Sequence, residues 1–298
     1  MIKYIKNHFD FKINKYIKKN NTSLIDTNKG RFLVKEKKHD NYELFKYLKS
    51  CNFNNFIDLY SADDRYEVYP YVEKIEYSFE QKALDIVYVI TLLHNKTTFY
   101  KQLDIDLVKR IYEDITNKLI YLTNFYDELL LSIENDRYTS PSKYLFLRNC
   151  SIIFNSIDAS KYYIDKWYNL MKDKNNYRVC TIHNNLDIDH LIKTDNLVLV
   201  SWNNSCKASP VYDLLSLYNN TYDKLSFSTL YDAYNSRYPL LKEEEYLLFC
   251  LMLFPSKLNF SFGEVLNTKS VYELSSYLIS ANDFVSQYKP NDSYSNTN

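Results

Sequence analysis

Residues 178–213 read RVCTIHNNLDIDHLIKTDNLVLVSWNNSCKASPVYD, and the fold is decided by how this stretch is read. Two short apolar runs, Val179 to Ile182 and Leu197 to Val200, predict β-strands. Between them lies a polar loop that begins at His183 and turns at Thr194–Asp195–Asn196, where short polar side chains favour chain reversal. A loop held between two strands is a rigid platform for side chains. The second strand ends in Ser201–Trp202, and Pro210–Val211–Tyr212–Asp213 opens a helix.

Upstream, Ser23 to Thr27 and Arg31 to Lys35 form a hairpin around Asn28–Lys29–Gly30, a turn with the backbone freedom a reversal needs. Residues 1–20 are lysine-rich with scattered Ile, Phe and Tyr and read equally as an edge strand or a short helix. Asn41 to Ser50 carries Tyr42, Phe45 and Leu48 at helical spacing. Phe56 to Tyr60 and Tyr66 to Tyr71 read as a further strand pair around Asp63–Asp64. From Glu73 onward the pattern is helical. Ala83 to His94 is apolar on one face. Ile105 to Ile133 is the best helix, with Val108, Ile111, Ile115, Leu119, Leu122, Phe125, Tyr126, Leu129 and Ile133 recurring at threes and fours. Ser140 caps the next helix and Pro141 takes its first position, with a break expected near Ser156–Asp158. Later helices are expected at about 210–220, 227–236, 241–254 and 269–287, and the polar residues 291–298 form a disordered tail.

Composition bounds the function. Hydrophobic residues make up 46% of the 298-residue chain, enough for a folded core. Lys+Arg and Asp+Glu both number 37, so there is no positive excess for wrapping nucleic acid. No apolar run reaches the roughly 18–20 residues of a membrane span; Tyr246 to Phe254 is a buried helix segment. Met1 to Asp10 lacks the apolar core of a signal peptide. The five cysteines are scattered, with no Cys-x-x-Cys pair, which argues against zinc and for a reducing, cytoplasmic compartment. With only two glycines, no glycine-rich phosphate cradle can be built. The 31 tyrosines, with many Lys, Asn and Ile, suggest an AT-rich bacterial genome.

The central stretch resembles the catalytic loop and metal-binding strand of the aminoglycoside phosphotransferase and choline kinase-like superfamily. That superfamily reads His-Gly-Asp-Leu-His-x-x-Asn, then Ile-Asp-Trp, then Pro-x-Tyr-Asp-Leu. The matching residues here are His183 to His190, then Val200–Ser201–Trp202, then Pro210 to Leu214. Phe32 to Lys35 and Leu93–His94 also fit. The resemblance implies an α+β, protein kinase-like two-lobe fold. A small mixed lobe spans residues 1–72 and a larger, mainly helical lobe spans 73–290.

The resemblance implies ATP and magnesium as cofactors, and also how this chain departs from their use. Asn185 stands where the superfamily has its catalytic aspartate, and a carboxamide cannot take a hydroxyl proton. His190 stands at the loop asparagine and Ser201 at the metal-binding aspartate, so two metal positions carry an imidazole and a hydroxyl. Asp187 and Asp189 read either as solvated loop acids and turn caps or as surrogate catalytic groups. Lys35, Glu43 and Tyr71 are the implied cofactor-binding residues, Lys35 contacting phosphate with Glu43 as its ion-pair partner. The other reading is an exposed lysine in the run Lys35, Lys37, Lys38 and a surface acid. His183 is expected to anchor backbone, Asp213 to cap its helix, and His94 and Trp202 to lie in the core.

Three functions follow. The first is a pseudokinase that binds a protein partner or small molecule as a scaffold, in outline like the superfamily's spore-coat branch, with no cofactor. The alternative is an ATP-dependent small-molecule phosphotransferase using Asp187 or Asp189. The third is a binder of a nucleotide or small hydroxylated metabolite that performs no transfer.

Overall fold

The computed structural model describes residues 12–19, 22–37 and 40–288. The expectations for Met1 to Asp10 and for residues 291–298 therefore lie outside the described residues. The chain divides into two compact units, residues 1–98 with 180–208, and residues 99–179 with 209–298.

The first unit is built on a five-stranded antiparallel sheet of β1 (Ile13–Lys19), β2 (Thr22–Thr27), β3 (Gly30–Glu36), β4 (Ser61–Ala62) and β5 (Tyr66–Pro70), in the order β1-β2-β3-β5-β4. Gly30 closes the β2–β3 turn at φ +119°, a conformation that a side chain would strain. Alternation gives the sheet two distinct faces. Ile25, Phe32, Val34 and Val68 form a buried apolar cluster on one. Lys35 pairs in register with Glu67 and Leu33 with Tyr69, so these four share the other.

Helix α1 (Asn41–Ser50) follows β3 and α2 (Phe79–Thr97) follows β5. Asp40 caps α1 and Ser78 caps α2, each side chain accepting from a backbone N–H of the first turn. Tyr42 is 58% exposed; the face of α1 that is buried runs through Asn41, Phe45 and Leu48. Phe56 to Tyr60 is not a strand. Phe56 makes one isolated bridge to Leu199 while its ring stacks on Phe45, and β4 begins only at Ser61.

The central stretch completes the first unit. In β7 (Asn176–Ile182), residues 180–182 pair with β10 (Cys206–Ala208). The two strands of the sequence reading are not partners of each other. The loop after β7 makes a 3₁₀ turn at Ile188–His190 and then a hairpin of its own, β8 (Leu191–Lys193) against β9 (Leu197–Leu199), with its reversal at Thr194–Asn196. Asn55 fastens β9 to the sheet side, its carbonyl accepting from Leu199 N and its amide donating to Leu197 O, both at 2.8 Å.

The second unit is mainly helical: α3 (Ile105–Glu134), α4 (Pro141–Met171), α5 (Val211–Thr221), α6 (Phe227–Asn235), α7 (Lys242–Met252) and α8 (Glu264–Gln287). Its β-structure is β6 (Phe99–Gln102) paired with residues 176–179 of β7. Helix α4 packs against α3, α7 and α8 and forms the axis of this unit. It runs without the expected break, because Ser156 and Ser160 are fully buried small residues that let neighbours approach. Ser160 donates to Cys250 O at 2.8 Å, Ser156 accepts from Asn282 at 2.8 Å, and burial pushes the Cys250 thiol up to about 12. Ser140 stands at the N-cap of α4 without bonding a backbone N–H; the carboxylate of Glu264 accepts from Ser142 N instead. Helix α8 starts five residues before the expected 269, and Asp213 lies buried in the first turn of α5, whose cap is Pro210. Among the described residues, no helix is long and apolar enough to cross a membrane.

Candidate active site

The first unit brings together most of the residues singled out from the sequence. The loop from His183 to His190 and the turn after β9 are held by backbone-directed bonds. His183 is fully buried, its Nε2 lies 2.9 Å from Val200 O, and its ring meets the Trp202 indole edge-on at 4.9 Å. This is the anchoring role expected of it. His94 and Trp202 are likewise buried, at 0% and 4% exposure.

Asn185 and His190 form one unit. The Nδ1 of His190 donates to the Asn185 backbone carbonyl at 2.6 Å, which places the ring proton on Nδ1 in the neutral tautomer. The His190 carbonyl accepts from Val200 N at 2.9 Å. Asn185 is thereby linked through His190 to the residue before Ser201. Asn184, at φ +56°, occupies the left-handed region that asparagine tolerates, and its amide donates to Asn204 O at 3.2 Å.

Ser201 sits at φ +70°, ψ +46°, also left-handed. Such a backbone costs a residue with a Cβ about 1–2 kcal/mol. Ser201→Gly is expected to raise stability by about 0.5–1 kcal/mol after the entropy gained by the unfolded chain is subtracted. A urea midpoint that fails to rise would show that the serine hydroxyl offsets the strain.

Both loop acids are engaged. Asp187 caps the 3₁₀ turn by accepting from Asp189 N at 2.8 Å. Asp189 accepts from Lys82 of α2 at 3.2 Å; the lysine side chain is 11% exposed and the aspartate side chain 87%. Sequence reasoning missed Lys82, although a lone lysine at the start of the apolar face of α2 was a signal for it.

Lys35 lines a cavity of about 90 Å³ together with Asn41, Phe45, Tyr69, Ser201, Trp202 and Asn203 among others. Ligand pockets typically hold roughly 300–1,000 Å³. Burial lowers the Lys35 ammonium from its ordinary value, with Glu67 acting in the opposite sense. Glu43 is exposed and makes no ion pair among the described residues. Tyr71 is also exposed, its N–H bonded to Arg31 O at 2.9 Å and its ring under the Arg31 guanidinium at 5.9 Å. The structure therefore brings neither Glu43 nor Tyr71 to Lys35. The acid on the Lys35 face is Glu67, which sequence reasoning missed. Its signal was a single glutamate in the run Tyr66-Glu67-Val68-Tyr69, opposite Lys35 once the hairpin register is drawn.

The donor set can be tested against a magnesium nucleotide. Magnesium prefers hard oxygen ligands and usually one or two carboxylates. Asn185 and Ser201 offer a carboxamide and a hydroxyl, and His190 an imidazole already fastened through Nδ1. Among the described residues, no group of three His, Cys, Asp or Glu converges as a metal site. These residues do not fit a magnesium-held nucleotide.

Comparison with known structures fixes the architecture. An aminoglycoside phosphotransferase from Alicyclobacillus acidocaldarius superposes with a TM-score of 0.68 at 12% identity over 96% of both chains. The chain has the phosphotransferase-like fold. The AMP-bound spectinomycin phosphotransferase gives 0.59 at 14% identity, covering 94% of this chain and 96% of that one. Choline kinase from Streptococcus pneumoniae gives 0.50 at 14% identity over 96% and 95%. No protein-family model and no curated protein sequence matches the chain. At these identities the likeness is one of fold: a small antiparallel sheet lobe and a helical lobe, as the resemblance of residues 178–214 implied. Activity has to be argued from the site itself.

Proposed function

We propose that this chain is a pseudokinase, a binding or scaffold module that keeps the phosphotransferase-like fold and does not move phosphate. One observation carries the reading. At the position of the catalytic base stands Asn185, whose side-chain carboxamide cannot take a hydroxyl proton as a carboxylate does, and whose backbone carbonyl accepts from His190 Nδ1. Loss of a general base costs about 10²–10⁴ in rate. The donor set at His190 and Ser201 adds the loss of metal-assisted charge compensation. The ligand in this reading is a protein partner or a small molecule bound without transfer. The division into lobes at 72/73, a bacterial cytoplasmic setting and a spore-coat role belong to the same proposal; the setting rests on composition and cysteine usage, and the spore-coat role on the resemblance alone.

A second reading is favoured by the exposure of Asp189. An 87% exposed carboxylate beside the loop is accessible as a surrogate base in a small-molecule phosphotransferase using ATP and magnesium.

Thermal melting with ATP, with and without magnesium, followed by an ATP turnover assay, separates the two. The pseudokinase is expected to show no magnesium-dependent rise in melting temperature and no turnover. Magnesium-dependent stabilisation with turnover lost in D189N or D187N would overturn it. Asparagine at either position still accepts hydrogen bonds, so the loop folds in both variants.

A further inference from the structure

Glu67 is a carboxylate at 1% exposure. Its oxygens accept from Asn41 N at 3.4 Å, Asn41 Nδ2 at 2.9 Å and the Tyr69 hydroxyl at 2.8 Å. The donors are neutral, two of them at the N-terminus of α1, and they satisfy the lone pairs without cancelling the charge. Burial of an ion is tolerated when an opposite charge lies nearby. Lys35 stands directly across the β3–β5 register on the same face. The Lys35 ammonium lies 5.6 Å from the centre of the Tyr69 ring and is not within 4 Å of the Glu67 carboxylate; burial lowers it, and Glu67 acts on it in the opposite sense through its charge. The Asn41 amide also reaches Asn203 Oδ1 at 3.4 Å, so the carboxylate is networked to the turn that follows Ser201.

We propose that Glu67 is the built-in counter-ion of Lys35, so that the sheet carries its own anion and Lys35 meets a phosphate-class anion only when the carboxylate charge is removed. The inference deepens the pseudokinase reading and rests on it in one respect, that Lys35 of the native chain does not serve a phosphate. Burial, then Glu67, push the Tyr69 phenol well above its usual range. The cavity beside Lys35, about 90 Å³, lies well below the roughly 300–1,000 Å³ of ligand pockets, so the probe chosen for the freed lysine is a small anion, inorganic phosphate or pyrophosphate.

The test uses the full chain as wild type, Glu67→Gln, Lys35→Met and the double variant. In urea denaturation, each single substitution is expected to lower the midpoint, and adding E67Q to K35M is expected to raise it again. In titration with pyrophosphate without metal, E67Q is expected to bind at least about tenfold more tightly than wild type, the scale of one charge-assisted hydrogen bond, and K35M/E67Q to lose that gain. A double variant less stable than K35M overturns the pairing, a comparison that holds even if E67Q alone does not fold. Equal binding by wild type and E67Q, or no binding by folded E67Q, overturns the displaced-anion role. ATP turnover measured on wild type in parallel keeps the failures apart. Turnover with the K35M/E67Q recovery intact sinks the pseudokinase reading and the displaced-anion role and leaves only the Lys35–Glu67 pairing, whereas no turnover with no recovery sinks this inference alone.

Discussion

Replacing Trp202 by alanine is expected to destabilise the chain by about 3–5 kcal/mol, seen as a lower urea midpoint at unchanged slope. The indole is 4% exposed and lies edge-on to Phe45, Phe53 and Phe56, with ring centroids 6.2, 6.1 and 6.4 Å away. His183 completes the cage at 4.9 Å. Edge-to-face pairs add about 0.5–1.5 kcal/mol each beyond the area they bury. Alanine leaves a void among rings that cannot all move inward, because Phe53 and Phe56 flank the Asn55 anchor of β9 and His183 is tied to Val200. It also removes the indole N–H that donates to the Leu199 carbonyl at 2.9 Å. Trp202→Phe separates the two effects: most of the ring volume stays, and the lost hydrogen bond is expected to cost about 1–2 kcal/mol. The substitution reaches the candidate site because Trp202 opens the turn that presents Asn203 to Asn41 and the Asn204 carbonyl to Asn184. A cost under about 1 kcal/mol for W202A would mean that the aromatic cage is not what holds the loop.

What could be read from the sequence tracks what is local. The β2–β3 hairpin needed only a turn with a glycine, and α3 needed only its periodicity. The loop chemistry was legible too: that Asn185 and Ser201 are uncharged follows from their identity. What these groups hold onto was not legible. That the Asn185 backbone carbonyl accepts from His190 depends on the 3₁₀ turn Ile188–His190, whose cap is Asp187. Glu43 was assigned to Lys35 by position along the chain, yet helical phase already spoke against it. Asn41, Phe45 and Leu48 lie on one stripe, and Glu43 is off that stripe. The strand expected at residues 56–60 failed for a different reason. Its Phe56 ring serves the Trp202 cage, and a residue whose ring is claimed by packing need not extend its neighbours into a ladder. The break expected near Ser156–Asp158 did not form, and the buried serines there bond neighbouring elements across a close approach.

Removing the Glu244 side chain is expected to destabilise the chain by about 3–5 kcal/mol, while removing Glu244 together with Arg178 costs much less. The side chains of Arg178 and Glu244 are 9% and 7% exposed. Arg178 Nε donates to Glu244 Oε1 at 2.9 Å and Nη2 donates to Oε2, so the pair is bidentate. Nη2 also donates to Pro239 O at 2.9 Å, and the guanidinium lies 4.2 Å from the centre of the Tyr238 ring. Burial alone would lower the arginine's proton affinity; the bonds to Glu244 and its charge outweigh that and hold it above the ordinary value. Glu244→Ala leaves this guanidinium buried without its anion, and also strips the Leu241 N–H of its acceptor at the start of α7. Arg178→Met/Glu244→Met removes both charges and keeps volume, so the desolvation that made the single variant costly is no longer incurred. The comparison is read from urea midpoints of the three proteins, with Glu244→Gln as a fourth that preserves shape and the Leu241 acceptor while deleting the charge. If E244Q matches wild type, the pair acts as a hydrogen-bonding clip whose charge is incidental. If the double variant is as unstable as E244A, the burden lies in lost packing around Tyr238 and not in an unpaired ion.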